Sequence, residues 1–292
     1  MKKGKSCIVS SMALCSDVTM GFHAIETLLL LYNSLFLPVV LYNAQAWTNL
    51  TKTDIQLLQR VQLKFLKRTF HAPSSTSNPL TFLETGTLPI QYEIHTKQLG
   101  YLHHIVNLDD NDPVLLTYGQ QLKYPAPNWA NEVLELRERY SITKSDMEIA
   151  EMSKESWKRL VKKKVGSKAL SDLNEEASKQ KKSLHLLPYQ EHTRQEYMNK
   201  LSPKFTRKIF HIRTGTVDLR GVRSYKYGTD KTCRLCKSGE ETVEHVVNEC
   251  TSMEHQHKFG NISTSNCDEL NEIARRCLDF DRRVDDLETE KQ

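Results

Sequence analysis

Residues 233–250 read CRLCKSGEETVEHVVNEC, which places Cys233, Cys236, His245 and Cys250 in the pattern C-x2-C-x8-H-x4-C. Two thiolates two residues apart can grip one ion from a tight turn, while a His and a third Cys arrive on the next segment and close a tetrahedron. Four protein ligands leave no open coordination position, so the spacing predicts a structural Zn2+ rather than a catalytic one. C-x2-C alone also suits a redox dithiol; the His and Cys downstream favour the metal. His245 and Cys250 stand five apart, a turn of about 140° on a regular helix, so a bend or a helix end is required between them. His255, His257 and Cys267 are the substitute ligands.

The other cysteines are Cys7, Cys15, Cys267 and Cys277, an odd total of seven with none between Cys15 and Cys233. A disulfide framework would not leave the middle of a chain unpaired, and this usage points to an intracellular protein, nuclear or cytoplasmic. The 292 residues suffice for one large or two modest domains. The start, MKKGKSCIVSSMALCSD, reads as a domain entry and not a signal peptide. From Leu28 to Ala46 the run is almost wholly apolar, but Asn33, Ser34 and Asn43 interrupt it and Pro38 sits in its middle. It reads as a buried helix ending near Pro38, not as a membrane span.

Charge divides the chain. Residues 1–153 carry 13 bases against 14 acids, residues 154–237 carry 22 against 8, and residues 238–292 carry 6 against 14. A basic block therefore runs into the first two zinc ligands, and an acidic tail follows. Each Lys or Arg set against a phosphate releases a counterion, so the block points to a polyanion. Taken alone, Lys162, Lys163, Lys164, Lys179, Lys181 and Lys182 read equally well as a solvated helix face.

The remaining pattern is helix after helix. Residues 52–70 have Thr51 and Thr53 as candidate caps, apolar positions at Ile55, Leu58, Val61, Phe65 and Leu66, and Lys64, Lys67 and Arg68 at the end. HAPSSTSNP (71–79) is a loop, residues 90–108 a second long helix, and residues 109–129 a loop with at most a short helix. Ser145 and Glu148 form a capping-box pattern for a helix through Trp157 to about Val165. Ser202, Pro203 and Gly215 bound a helix that puts Lys204, Arg207, Lys208 and His211 on one face and Phe205, Ile209 and Ile212 on another. Arg213 closes it. Beyond it Arg220, Arg223, Lys226 and Lys231 alternate with Tyr225 and Tyr227, a mixture that can hold phosphates and stack on unpaired bases, or simply pack on the metal module. The nucleic-acid candidates are Lys204, Arg207, Lys208, Arg213, Arg220, Arg223 and Lys226.

The strings LLLLYNSLFLPVVLYNAQAW, LLQRVQLKFLKR, FLETGTLPIQYEI and LGYLHHI, in that order and ahead of the Cys-Cys-His-Cys knuckle, resemble the region behind the polymerase palm in reverse transcriptases of non-LTR (LINE-type) retrotransposons. The resemblance covers roughly residues 20 to 255. It implies a mainly α protein: a thumb-like helical bundle over 1–120, a helical connector over 121–200, a basic zinc module over 201–260 and an acidic tail over 261–292. It further implies a fragment that holds RNA or DNA for a parent protein engaged in RNA-directed DNA synthesis.

The residues for that synthesis are missing. No Phe/Tyr-x-Asp-Asp string, the hairpin that holds two metals for nucleotidyl transfer, occurs. Asp109–Asp110 and Asp285–Asp286 read as solvated helix-end acids. None of the nine prolines precedes Asp, which leaves no Pro-Asp start of a restriction-like nuclease. His103 and His104 lack a nucleophile motif and read as packing and surface residues. The expectation is a non-enzymatic nucleic-acid-binding fragment with no membrane and no small-molecule partner. A protein-interaction scaffold, its basic block neutralised by the tail, and a non-functional remnant are the other readings.

Overall fold

The helix expected to end near Pro38 passes through the proline and ends two residues on, at Val40. In the computed structural model, which describes residues 25–180, 189–254, 258–259 and 264–290, α1 (Ile25–Leu31) widens into a π turn (Tyr32–Phe36) and resumes as α2 (Leu37–Val40). Pro38 falls in the first turn of α2, where its missing N–H is not required. The π turn resets the ladder just ahead of it, with the Leu37 N–H bonded to the Tyr32 carbonyl. The 1–24 segment with Cys7 and Cys15, and Lys181, Lys182, His255 and His257, lie outside the described residues.

α3 (Lys52–Thr69) opens on a capping box in which Thr51 Oγ1 accepts from the Asp54 N–H and Asp54 accepts from the Thr51 N–H, so Thr51 and not Thr53 is the cap. α4 (Asn78–Thr85), α5 (Ile90–Ile105), α6 (Pro113–Gln121) and α7 (Trp129–Arg139) follow. Asp109 and Asp110 are exposed in the loop between α5 and α6. The Ser145–Glu148 capping box forms, but α8 (Asp146–Glu151) stops there. Met152 turns extended and Ser153 caps a new helix, α9 (Lys154–Ser178), which runs well past Val165.

Along α9 the buried residues are Trp157, Val161, Val165, Ala169, Leu173 and Ala177, each four after the last. Four residues turn a helix by about 400°, so the buried line advances about 40° per step and winds about halfway round the helix over its length. Its first four members pack with Leu99, Leu102, Trp129 and Val133; its last two pack with Phe82, Ile94 and Tyr197. α9 is thereby shared by two apolar cores. Trp157 Nε1 fixes the first half by donating to the Leu99 carbonyl at 2.8 Å.

The two cores draw on different parts of the chain. One joins α1 to α4 with residues 173–284, including Cys233 and Cys250; the other lies within residues 92–169. The expected acidic tail is α13, which follows α10 (Tyr197–Lys200), α11 (Pro203–Arg213), the short α12 (Ser224–Tyr227) and the metal segment. α13 spans Cys267–Thr289 and buries Leu270, Ile273, Ala274, Cys277, Phe280 and Val284 against α11 and its neighbours. A buried polar node ties the first core together: Glu84 accepts from Arg213 Nε at 2.7 Å, from Tyr197 Oη at 2.8 Å and from Tyr189 Oη. The fold is mainly α; among the described residues there is no strand, only an isolated bridge between Thr232 and Glu240. No helix among them is long and apolar enough to cross a membrane.

Candidate metal centre

The Thr232–Glu240 bridge closes a loop in which the Lys237 N–H bonds the Cys233 carbonyl and the Cys233 N–H bonds the Gly239 carbonyl at 3.1 Å each. Lys237 and Gly239 both take positive φ, 58° and 80°, so the chain folds back tightly around Cys236. Its thiol then receives the Ser238 N–H at 3.4 Å and the Ser238 hydroxyl at 3.2 Å. Burial opposes ionisation of Cys236, but these Ser238 bonds, with Cys233 and His245 alongside, hold its pKa down at about 6. Cys233 is raised by burial, and burial pushes Cys250 up to about 12.

The bend demanded between His245 and Cys250 is a π turn, His245–Glu249. A π turn bonds each residue to the fifth one on, and the Cys250 N–H meets the His245 carbonyl at 2.7 Å. Both side chains consequently face the knuckle. The ligand atoms of Cys233, Cys236, His245 and Cys250 lie within 4.8 Å of one another, with Cys233 Sγ 3.8 Å from Cys250 Sγ and Cys236 Sγ 3.3 Å from His245 Nε2. A tetrahedral ion with metal–sulfur bonds of about 2.3 Å sets its sulfurs about 3.8 Å apart. The four residues therefore fit a bound metal ion. His245 Nδ1 faces the Glu249 carboxylate at 3.6 Å, leaving Nε2 as the ligand atom. Cys267 is not in this cluster; it begins α13.

A brace that sequence reading missed holds the knuckle in place. Glu241 is fully buried, its carboxylate accepting from Arg234 Nε at 3.0 Å and from the Arg234 and Arg220 N–H groups at 2.8 and 3.0 Å. The Glu241 carbonyl accepts from the Gly221 N–H, where an added Cβ would approach that oxygen to 2.8 Å. Nothing local to Gly221, between Arg220 and Val222, marks Glu241 as its partner.

The expected basic stripe on α11 leaves Lys204 exposed, while Arg207, Lys208 and His211 are half-buried against neighbouring elements. Arg213 is buried against Glu84: it stands four residues after Ile209 and seven after Thr206, which places it on the buried face of α11. Arg207 Nε and His211 Nε2 donate to the Thr69 and Phe70 carbonyls at the end of α3, at 3.3 and 3.1 Å, so they cap that helix. Lys208 pairs with Asp281 of α13, Arg220 with Asp230 at 2.5 Å, and Arg223 and Lys226 with Asp218 at 3.3 and 2.6 Å. Lys204 alone of the seven is exposed without an acidic partner. The Tyr227 ring lies under Lys226, Arg220 and Arg234, and the Tyr225 side chain lies outside the described residues. His103 Nε2 meets the Met152 carbonyl at 2.9 Å, and His104 is exposed.

Exposed cations that form no close ion pair among the described residues occur elsewhere, Lys162 acting on the Glu93 carboxylate only at longer range. Arg60, Lys64 and Arg68 stand at four-residue intervals on the exposed face of α3, and Lys158, Lys162 and Lys163 project from α9. Comparison of the chain with protein-family models, curated proteins and solved structures finds no match.

Proposed function

We propose that the protein is a zinc-stabilised helical module that grips RNA or DNA without catalysing its synthesis, the thumb-and-knuckle part of a LINE-type reverse transcriptase. The observation that carries the proposal is the Cys233, Cys236, His245 and Cys250 cluster, whose ligand atoms lie within 4.8 Å of one another, with Cys233 and Cys250 in the same core as α1 and α3. Three sulfurs and one nitrogen suit Zn2+, which takes Cys3His sites closed to further ligands. Zinc supplies folding energy there, on the order of 10 kcal/mol for structural sites at neutral pH. The grip is electrostatic, through Arg60, Lys64 and Arg68 along α3 and the lysines of α9. At 1.5 Å per residue these α3 cations repeat every 6 Å or so, a ladder suited to a phosphate backbone.

The test joins the two halves. One zinc per chain is expected by native mass spectrometry. Cys236→Ser should lose the zinc and, with it, oligonucleotide affinity that falls steeply with salt in the wild type, by a log–log slope of about −0.7 to −0.9 per phosphate. Undiminished zinc in the Cys236→Ser protein overturns the site. The second reading, a protein-interaction scaffold, is favoured by the internal ion pairs of Lys208, Arg213, Arg220, Arg223 and Lys226. Zinc-loaded protein that shows no oligonucleotide binding even at low salt selects it.

A further inference from the structure

The acidic total of residues 238–292 conceals a basic groove. Between the start of α11 and the middle of α13 lies a channel of about 490 Å3 whose walls carry Lys204, Arg275, Arg276, Arg282 and Arg283. Against these five cations stand Glu254, Glu272 and Asp279, which leaves a surplus of two positive charges. The arginines come as two adjacent pairs seven residues apart, two helical turns or about 10 Å along one side of α13.

Each pair shares one carboxylate. Arg275 and Arg276 meet Glu272 at 2.6 and 3.2 Å; Arg282 and Arg283 meet Asp279, the latter at 3.0 Å. Within each pair one member is also tethered to backbone, Arg276 to the Val247 carbonyl at 2.7 Å and Arg283 to the Ser252 carbonyl at 3.1 Å. The other members, Arg275 and Arg282, are 63% and 72% exposed. One carboxylate cannot neutralise two guanidinium groups, but it can hold both in place. The side-chain entropy of presenting Arg275 and Arg282 is thus partly spent before any ligand arrives.

We propose that this groove binds the phosphodiester backbone of a nucleic-acid strand, with Arg275, Arg282 and Lys204 contacting phosphates. The proposal rests on the nucleic-acid reading above and adds a site to it. Guanidinium forks match phosphate oxygens two at a time, and charges that repeat along a line suit a polymer whose charges also repeat. Phe205, Met253 and Leu278 also line the groove, giving sugars or bases an apolar wall that an acidic peptide would not need.

The experiment compares the full zinc-loaded chain with a triple variant, Lys204→Gln, Arg275→Gln, Arg282→Gln, and with Arg282→Gln alone, using a labelled single-stranded 20-mer. The expected result is an affinity loss of at least tenfold for the triple variant and of about two- to fivefold for the single one. The salt slope should become shallower by about two in the triple variant, three contacts at about 0.7 each. Thermal midpoints and zinc content should match the wild type, and the single variant serves should the triple one fold poorly. Wild-type binding that the variants retain in full overturns the groove and leaves the nucleic-acid reading standing. A wild type that binds no oligonucleotide overturns both. Equal capture of polyglutamate and oligonucleotide at the groove overturns the assignment to phosphate.

Discussion

A methyl group on Gly239 would sit 3.0 Å from His245 Nδ1 and 3.1 Å from its Cε1, at a backbone φ of 80°. The position thus combines a conformation that L side chains avoid with close approach to a metal ligand. Gly239→Ala is expected to destabilise the metal-bound protein by on the order of 2 kcal/mol and to weaken zinc retention against a chelator. Chelator competition on the two proteins measures it, and equal zinc release would refute the role. At this scale the four ligands were readable because C-x2-C-x8-H-x4-C is rare and chemically specific. Glu241 was not, since Glu240, Glu241, Glu244 and Glu249 look alike in sequence and only burial distinguishes the one that braces Arg234. Arg213 was misread for a related reason. Residue type marks it as a surface cation, whereas its register on α11 carries it to Glu84.

Element ends marked by caps were legible, while continuity was not. Thr51 and Ser145 stand where helices begin, because a hydroxyl that satisfies an open N–H is a local property; Ser202 also begins a helix, where Pro203 rather than a side-chain bond from Ser202 sets the first turn. α9 escaped recognition past Val165 because its buried line winds around the helix, and a fixed 100° stripe loses it after a few turns. Gly166 lies inside this helix, and a Cβ added there meets nothing within 4 Å. Gly166→Ala should stabilise the protein by about 0.5–1 kcal/mol, seen as a higher urea midpoint at unchanged slope. An unchanged or lower midpoint would show that the α9 surface at Gly166 is occupied by something else.

Across the whole molecule, half-buried imidazoles set an acid limit. Burial lowers His95 to about 4, with Arg139 adding to the effect, and burial likewise lowers His211 to about 4. Between about pH 6.5, where an unfolded His titrates, and pH 4 the unfolded chain takes up protons that the native state refuses. Stability from these groups is therefore present above pH 6.5 and lost as pH falls through that window, on the order of 2–3 kcal/mol for each. Glu93 and Asp281, both raised by burial, act with the opposite sign at the acid end. His95→Gln should flatten the fall in stability between pH 7 and pH 5 relative to the wild type while leaving zinc content unchanged. Parallel curves would exclude His95 as a contributor.

The Glu84 node also has a temporal side. Its partner Arg213 follows it by 129 residues, and Tyr189 and Tyr197 by 105 and 113. At roughly 5–20 residues per second of synthesis, Arg213 is added on the order of 10 s after Glu84. For that interval the nascent chain holds α4 with a carboxylate that has no native counter-ion. Packing around α4 waits on residues 189–213, and a ribosome that stalls between Glu84 and Arg213 leaves a chain whose first core stays open.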